Sequence, residues 1–187
     1  MFAKIKNKYP EVLFIAKFLL LFIVLYFGTE FWIGITSPGN YYSNFCDDYL
    51  NYINWLRISI LSTSEGLSNL LGYKAVKLNN ITIEGFNGYR VNVMLDCIGY
   101  GILSFWTAFV ITYPSTIKQK MVWLFSGLLS LWFVNVLRVL LLLILINKTK
   151  NVETFPQHHL AYNIATYIIV FVMIYFFTRN KKQDVTN

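Results

Sequence analysis

The sequence predicts an all-α integral membrane protein with about four transmembrane helices and an extracytoplasmic segment that combines an amphipathic helix with a β-hairpin. Of the 187 residues, 56% are hydrophobic and only 13% are charged, a composition typical of a multi-pass membrane protein. The basic residues stand beside the apolar runs, as the positive-inside rule requires. The formal charge of +7 therefore does not indicate nucleic-acid binding.

Four segments are long and apolar enough to cross about 30 Å of hydrocarbon, and we assign all of 1–187 to a single membrane domain. The segments are residues 12–35, 96–113, 121–146 and 159–178. Basic residues precede the first, separate the second from the third and follow the fourth: Lys4, Lys6, Lys8, Lys118, Lys120, Arg179, Lys181 and Lys182. This pattern predicts that both termini are cytoplasmic.

The first segment resembles a signal peptide because it follows three lysines, but we interpret it as a retained helix. It contains Lys17, it has no small-residue cleavage pattern at its end, and its apolar character continues through FWIGI.

Residues 36–95 form the predicted extracytoplasmic segment. Apolar and aromatic residues recur at helical spacing within 45–61, which predicts an amphipathic helix at the membrane interface. Further on, ITIEGFNGYRVNVML alternates with a period of two on both sides of a Gly-Phe-Asn-Gly turn. This pattern predicts a small hairpin that leads the chain to Asp96 and Cys97.

Three reactive side chains are predicted at similar depth in the outer leaflet. Cys97 lies at the outer end of the second helix, and Arg138 lies roughly 12 Å below the outer end of the third. His158 and His159 lie at the outer start of the fourth. Because a charge inside a membrane helix is costly and an arginine side chain can extend towards the interface, we expect the three groups to converge.

A thiol, a guanidinium and an imidazole together suit acyl transfer from a peptide bond. A cation stabilises the nucleophilic thiolate, and a histidine can take its proton and later protonate the leaving amine. Arg138 stays protonated and can also stabilise the oxyanion of a tetrahedral intermediate. Asn135, three residues earlier on the same helix face, can orient Arg138 or donate to the substrate.

Each residue also has a plain structural interpretation. Cys97 can be a packing residue or form a disulfide with Cys46, and the histidines can be solvated. Arg138 can form an ion pair with Asp96 or Glu153. The histidine pair is weak evidence for a metal, and we predict no cofactor.

Three motifs on successive predicted helices, LDCIGYG at 95–101, NVLRVLLL at 135–142 and QHHLAYN at 157–163, resemble the exosortase/archaeosortase family of membrane transpeptidases. The resemblance covers about residues 70–180 and is greatest to the compact forms of Bacteroidetes-type bacteria. It implies a thiol protease and transpeptidase of the bacterial cytoplasmic membrane, with its active site on the extracytoplasmic side.

The resemblance assigns Cys97 as the nucleophile, Arg138 as the electrostatic stabiliser and a histidine as the acid and base. His158 fits the family spacing to Tyr162 and Tyr167 better, with His159 as the alternate. The implied substrate is an exported protein with a C-terminal motif, a transmembrane helix and a basic tail, which is cleaved beside the membrane lipid and transferred to an envelope acceptor.

Two other functions agree with the residues alone. One is a non-enzymatic assembly or transport subunit in which Arg138 lines a cavity, and it predicts that Cys97 tolerates Ser. The other is a thiol-redox protein that uses Cys46 and Cys97, and it predicts loss of function in Cys46→Ser.

Overall fold

A computed structural model describes residues 10–39, 42–149 and 155–179 of the chain. The helices are α1 (Pro10–Thr36), α2 (Asn44–Leu50), α3 (Tyr52–Leu70), α4 (Tyr100–Thr112), α5 (Ile117–Thr149) and α6 (Phe155–Arg179). Three short strands, β1 (Val76–Lys77), β2 (Thr82–Glu84) and β3 (Arg90–Asn92), precede a 3-10 helix at Leu95–Ile98.

Three helices in the described part of the chain are long and apolar enough to cross a membrane. They are Glu11–Thr36, Ile117–Thr149 and Leu160–Arg179, and α4 is a shorter apolar helix. The protein is therefore a mostly helical multi-pass membrane protein with a small antiparallel sheet, as predicted. The second predicted segment, 96–113, differs in detail because the 3-10 helix occupies its beginning and α4 starts only at Tyr100.

The chain divides into two compact units. One comprises the residues up to Leu50 together with Tyr100–Leu128, and the other comprises Asn51–Gly99 and the residues from Leu129 onward. The boundary falls inside α5, so this helix contributes its first third to one unit and the remainder to the other.

Aromatic packing holds α1 against α4 in the first unit. Phe14, Phe18 and Phe22 follow one another at intervals of one helical turn, and Phe18 meets Phe105 edge to face at 5.3 Å between ring centroids. Most of the remaining α1 surface is exposed and apolar, as suits a helix that faces lipid.

The predicted helix over 45–61 is interrupted in the structure. Asn51 separates α2 from α3, and its side chain accepts a hydrogen bond from the backbone N–H of Asn54 as an N-cap. In α3, Ile53, Ile60 and Leu61 are buried on one face, which confirms its amphipathic character. This face packs on α5, where the Ser64 hydroxyl donates to the carbonyl of Val136.

The predicted hairpin is present. Strand β2 pairs antiparallel with β3 in the register Ile83 opposite Val91. Gly88 has a φ of +81° in the connecting turn, a conformation that glycine adopts without strain. Strand β1 adds a third, unpredicted strand to give the order β1-β2-β3. Ile83, Val91 and Val93 supply the buried side chains of this sheet.

Candidate functional site

A small pocket with a cavity volume of about 20 Å³ lies in the second compact unit, where the chain leaves the sheet and meets α5 and α6. Residues from four parts of the chain line it: Val91, Asn92, Val93, Cys97, Arg138, Val139, Leu142 and Tyr162. The pocket therefore contains two of the predicted site residues, a thiol and a guanidinium, among mostly apolar neighbours.

A sharp turn presents Cys97 to the pocket. Its backbone N–H donates to Met94 within the 3-10 helix, and Gly99 ends that helix with a φ of +74°. The thiol is partly exposed, whereas the adjacent Ile98 is fully buried. The turn is thus anchored by Ile98 and leaves the sulfur accessible.

Asn135 fixes this turn from α5. Its side-chain amide donates to the carbonyl oxygen of Ile98 at 2.7 Å, and the residue is only 7% exposed. A Cβ on Gly99 would lie 3.1 Å from the same amide nitrogen, so the glycine gives the amide room. The hydrogen bond from Asn135 therefore holds the backbone of the turn next to Cys97 in place.

Arg138 contacts the sulfur directly. Its Nη2 donates to Cys97 Sγ at 3.9 Å, and the residue is 9% exposed. Among the side chains that the structure describes, no carboxylate forms a salt bridge with it. The two predicted carboxylate partners, the side chain of Asp96 and the whole of Glu153, lie outside the described residues. In the described part of the chain, the Cys97 thiol thus accepts a hydrogen bond from this buried cation.

No disulfide joins Cys97 to Cys46 in the structure. Cys46 lies in α2, and both cysteines are free thiols.

The predicted histidines belong to the first turns of α6, but the side chains of His158 and His159 lie outside the described part of the structure. Both residues precede Tyr162 by about one helical turn, and Tyr162 lines the pocket. The helix begins before them because Pro156 stands in its first turn, where proline is compatible with helical backbone.

Six of the eight residues that line the pocket were not predicted as site residues, and two of these six, Asn92 and Tyr162, are polar. Tyr162 was noted only for its spacing, although its separation of four residues from His158 is the helical interval that joins one face. Asn92 sits on a strand three residues long, too short for its orientation to be deduced from the alternation of the sequence.

The pair of Cys97 and Arg138 suits nucleophilic chemistry. A guanidinium beside a sulfur stabilises negative charge on the thiolate, and in a pocket with few polar walls this interaction is weakly screened. The described residues contain no group of three His, Cys, Asp or Glu side chains placed to hold a metal ion.

Comparison with known proteins gives two matches. The family model described as transmembrane exosortase (Exosortase_EpsH) matches residues 10–176. Probable archaeosortase E of Methanocaldococcus jannaschii is 24% identical to the chain over 168 residues, which cover 90% of this chain and 76% of that protein. No solved structure matches the chain.

Proposed function

The chain belongs to the transmembrane exosortase family, and we propose that Cys97 is the nucleophile with which it cleaves C-terminal sorting signals. The family comprises membrane cysteine transpeptidases that act on exported proteins. The observation that carries the assignment is the 3.9 Å contact between the buried Arg138 guanidinium and the Cys97 sulfur in a shared pocket.

In the proposed reaction, the Cys97 thiolate attacks the carbonyl carbon of the scissile peptide bond. Arg138 stabilises first the thiolate and then the oxyanion of the tetrahedral intermediate. The carbon–nitrogen bond breaks as a histidine, His158 in our assignment, protonates the leaving amine. The products are a thioester on Cys97 and a released peptide that contains the transmembrane helix and basic tail.

The second half of the reaction regenerates the enzyme. A nucleophile of the cell envelope loses a proton to the histidine and attacks the thioester carbonyl, and the Cys97 thiolate leaves. Water in place of this acceptor gives hydrolysis. Asn135 supports both halves by holding the carbonyl of Ile98, and therefore the turn that presents the sulfur.

We place the reaction at the outer face of the bacterial cytoplasmic membrane. The lysines before α1 and between α4 and α5, with the basic residues after α6, favour both termini in the cytoplasm. The sheet and α3 then lie outside, next to the site where an exported substrate emerges.

The experiment that tests this proposal is co-expression of the enzyme with tagged exported proteins from the same genome that carry a C-terminal motif, a transmembrane helix and a basic tail. The wild type is expected to shorten at least one of them on a denaturing gel, and Cys97→Ala is expected to shorten none. Cys46→Ser, the matched control at the other free thiol, is expected to process at the normal rate.

Several outcomes would overturn the assignment. Processing by Cys97→Ala would remove Cys97 as nucleophile. Full function of Cys97→Ser would favour a non-enzymatic subunit, and loss in Cys46→Ser would favour a thiol-redox protein. Each variant is compared at equal membrane abundance, so that a failure to fold is seen as a loss of protein.

The histidine assignment is tested with the two neighbouring substitutions. We expect His158→Ala to lose processing by about 100-fold or more, because general acid and base catalysis contributes about that much, and His159→Ala to retain it. The rate of processing in isolated membranes measures both. The reverse result would move the role to His159.

A further inference from the structure

The two edges of the small sheet differ in how their backbone groups are satisfied. At the β1 edge, the N–H of Lys77 donates to the Glu65 carboxylate at 3.0 Å. The N–H and carbonyl of Ala75 both pair with the side-chain amide of Asn69. Side chains of α3 thus close this edge to further strands.

The β3 edge carries no such closure among the described residues. The N–H of Val93 donates to Ile81, and the carbonyl of Tyr89 accepts from Gly85. Because pairing alternates along an antiparallel strand, Val91 also faces β2, while the backbone groups of Arg90 and Asn92 point away from the sheet. In the described part of the chain, no hydrogen bond satisfies the outward N–H or carbonyl of these two residues.

This open edge borders the pocket that contains Cys97. Three consecutive residues, Val91, Asn92 and Val93, line the pocket. Successive side chains of a strand point to opposite faces of the sheet. A cavity on one face would therefore be lined by every second residue, whereas a cavity along the edge of the strand is lined by consecutive residues, as here. Val91 and Val93 are only 3% and 1% exposed as whole residues, whereas Asn92 between them is exposed, so Asn92 is the residue of this edge that a ligand can reach.

We propose that the substrate binds as a fourth strand on β3. The residues that flank the scissile bond would adopt an extended conformation and exchange hydrogen bonds with the outward N–H and carbonyl of Asn92, as in other cases of strand addition to a sheet edge. This inference rests on the proposed function, and it assigns the substrate class as an extended peptide segment recognised through its backbone.

Strand addition explains two features of the site. It leaves the scissile carbonyl beside the Cys97 sulfur, because Cys97 follows β3 by only five residues and shares its pocket. It also pairs backbone groups of an open strand edge that no described group satisfies.

The test uses a substitution that removes a single outward backbone donor. Asn92→Pro deletes the N–H that points away from β2 and leaves the β2–β3 hydrogen bonds intact, and proline is tolerated on edge strands of this kind. Asn92→Ala, the matched control, keeps the N–H and removes only the side chain, which accepts a hydrogen bond from the Thr82 hydroxyl.

With the tagged substrate that the wild type processes, we expect Asn92→Pro to process about tenfold or more slowly than Asn92→Ala, because the two variants differ in the outward N–H and share the loss of the asparagine side chain. Alkylation of Cys97 by iodoacetamide is expected to be equal in both variants, since the nucleophile is untouched. Normal processing by Asn92→Pro, or an equal loss in both variants, would overturn the proposal.

A second measurement decides the matter if Asn92→Pro fails to fold. Synthetic peptides that span the cleavage site of the same substrate are N-methylated at one backbone nitrogen at a time. Strand addition predicts that inhibition of cleavage alternates with a period of two residues, and the absence of this alternation would overturn the proposal. Failure of the proposed function would give a different result: the wild type would process no substrate, or Cys97→Ala would process it as well as the wild type does.

Discussion

Arg138 shows how much the position of a single residue in a sequence can reveal. A permanent charge in an apolar helix requires a partner, and depth along the predicted helices placed Cys97 near it. The contact at 3.9 Å confirms that these two residues are neighbours. The described contact of Asn135 could not be predicted in the same way, because it depends on the 3-10 turn that places the Ile98 carbonyl next to α5.

Two substitutions of Arg138 should distinguish the contribution of its charge from that of its planar guanidinium. We expect Arg138→Ala to lower processing by about 100-fold or more, because it removes the stabilisation of the thiolate and the oxyanion. Arg138→Lys should be nearly as poor, because a point charge does not reproduce the planar guanidinium. Processing in isolated membranes and alkylation of Cys97 in a Cys46→Ser background measure the two effects.

The control for Arg138 is Lys17→Gln, which removes an exposed cation from α1. It should process at the normal rate. Unchanged processing in Arg138→Ala would contradict the electrostatic role, and a loss in Lys17→Gln would point to a general effect of membrane charge.

Gly99 allows a second prediction at the scale of one residue. Both Gly99 and Gly72 have positive φ, but a Cβ meets Asn135 at 3.1 Å only at Gly99 and meets nothing within 4 Å at Gly72. Gly99→Ala and Gly72→Ala should each cost about 1–2 kcal/mol through backbone strain. Gly99→Ala should in addition lower processing by at least tenfold, because the amide and the turn beside Cys97 must separate.

Thermal unfolding in detergent and the processing rate distinguish these two substitutions. Equal processing rates in Gly99→Ala and Gly72→Ala would show that the close approach of Gly99 to the Asn135 amide does not position Cys97.

At the scale of elements, the sequence predicted the helices and strands whose formation depends on residues close together in the chain. The turn glycines and the alternation predicted the β2–β3 hairpin, and apolar periodicity predicted α3 and the long helices. Strand β1 has only two residues, pairs with β2 and has its outer edge satisfied by α3 side chains, so no pattern in its own sequence identifies it. The division at Asn51 depends on one capping hydrogen bond in a stretch without proline or glycine.

Asn147 holds the hairpin to the end of α5. Its side chain accepts from the N–H of Asn87 and donates to the carbonyl of Leu143, each at 2.9 Å, and it is fully buried. Its backbone carbonyl accepts from the Asn87 amide at 2.6 Å. A Cβ on Gly85 would lie 2.1 Å from the Asn147 amide nitrogen, so an alanine there must displace a side chain held by several hydrogen bonds.

We therefore expect Gly85→Ala to destabilise the second unit by about 1–3 kcal/mol and to loosen the hairpin. Hydrogen exchange of the β2 and β3 amides should become faster, and processing should fall with it. Gly66→Ala, at an open helical position, should be neutral or slightly stabilising. Unchanged exchange in Gly85→Ala would show that the hairpin does not depend on Asn147.

At the scale of the whole molecule, composition and charge predicted a multi-pass membrane protein, and the helices confirm it. The division into two compact units was not predicted, because its boundary falls inside the continuous helix α5, where no linker or change of composition marks it. Hydropathy also gave no sign that α4 would start only at Tyr100, since Cys97 and Ile98 of the 3-10 helix are themselves apolar enough to belong to a membrane helix.

The lengths of the helices predict a dependence on the bilayer. Helix α4 has 13 residues, or about 20 Å, whereas a typical hydrocarbon core is about 30 Å thick. Purified enzyme in phosphatidylcholine vesicles should therefore process fastest with 14-carbon chains and several-fold more slowly with 22-carbon chains. Equal rates at all chain lengths would contradict this, and circular dichroism of each sample controls for loss of helix.

The short helix α4 begins only three residues after Cys97, so the proposed nucleophile is joined to the apolar helix whose length matches a thick membrane least well. The acyl chains of the membrane lipids would then change the rate of processing without contacting the pocket. Where the membrane is thin, the proposed enzyme would remove sorting signals promptly; where longer or more ordered lipids accumulate, the same substrates would persist uncut. Lipid composition would become a spatial control on which regions of the cell surface receive the sorted proteins.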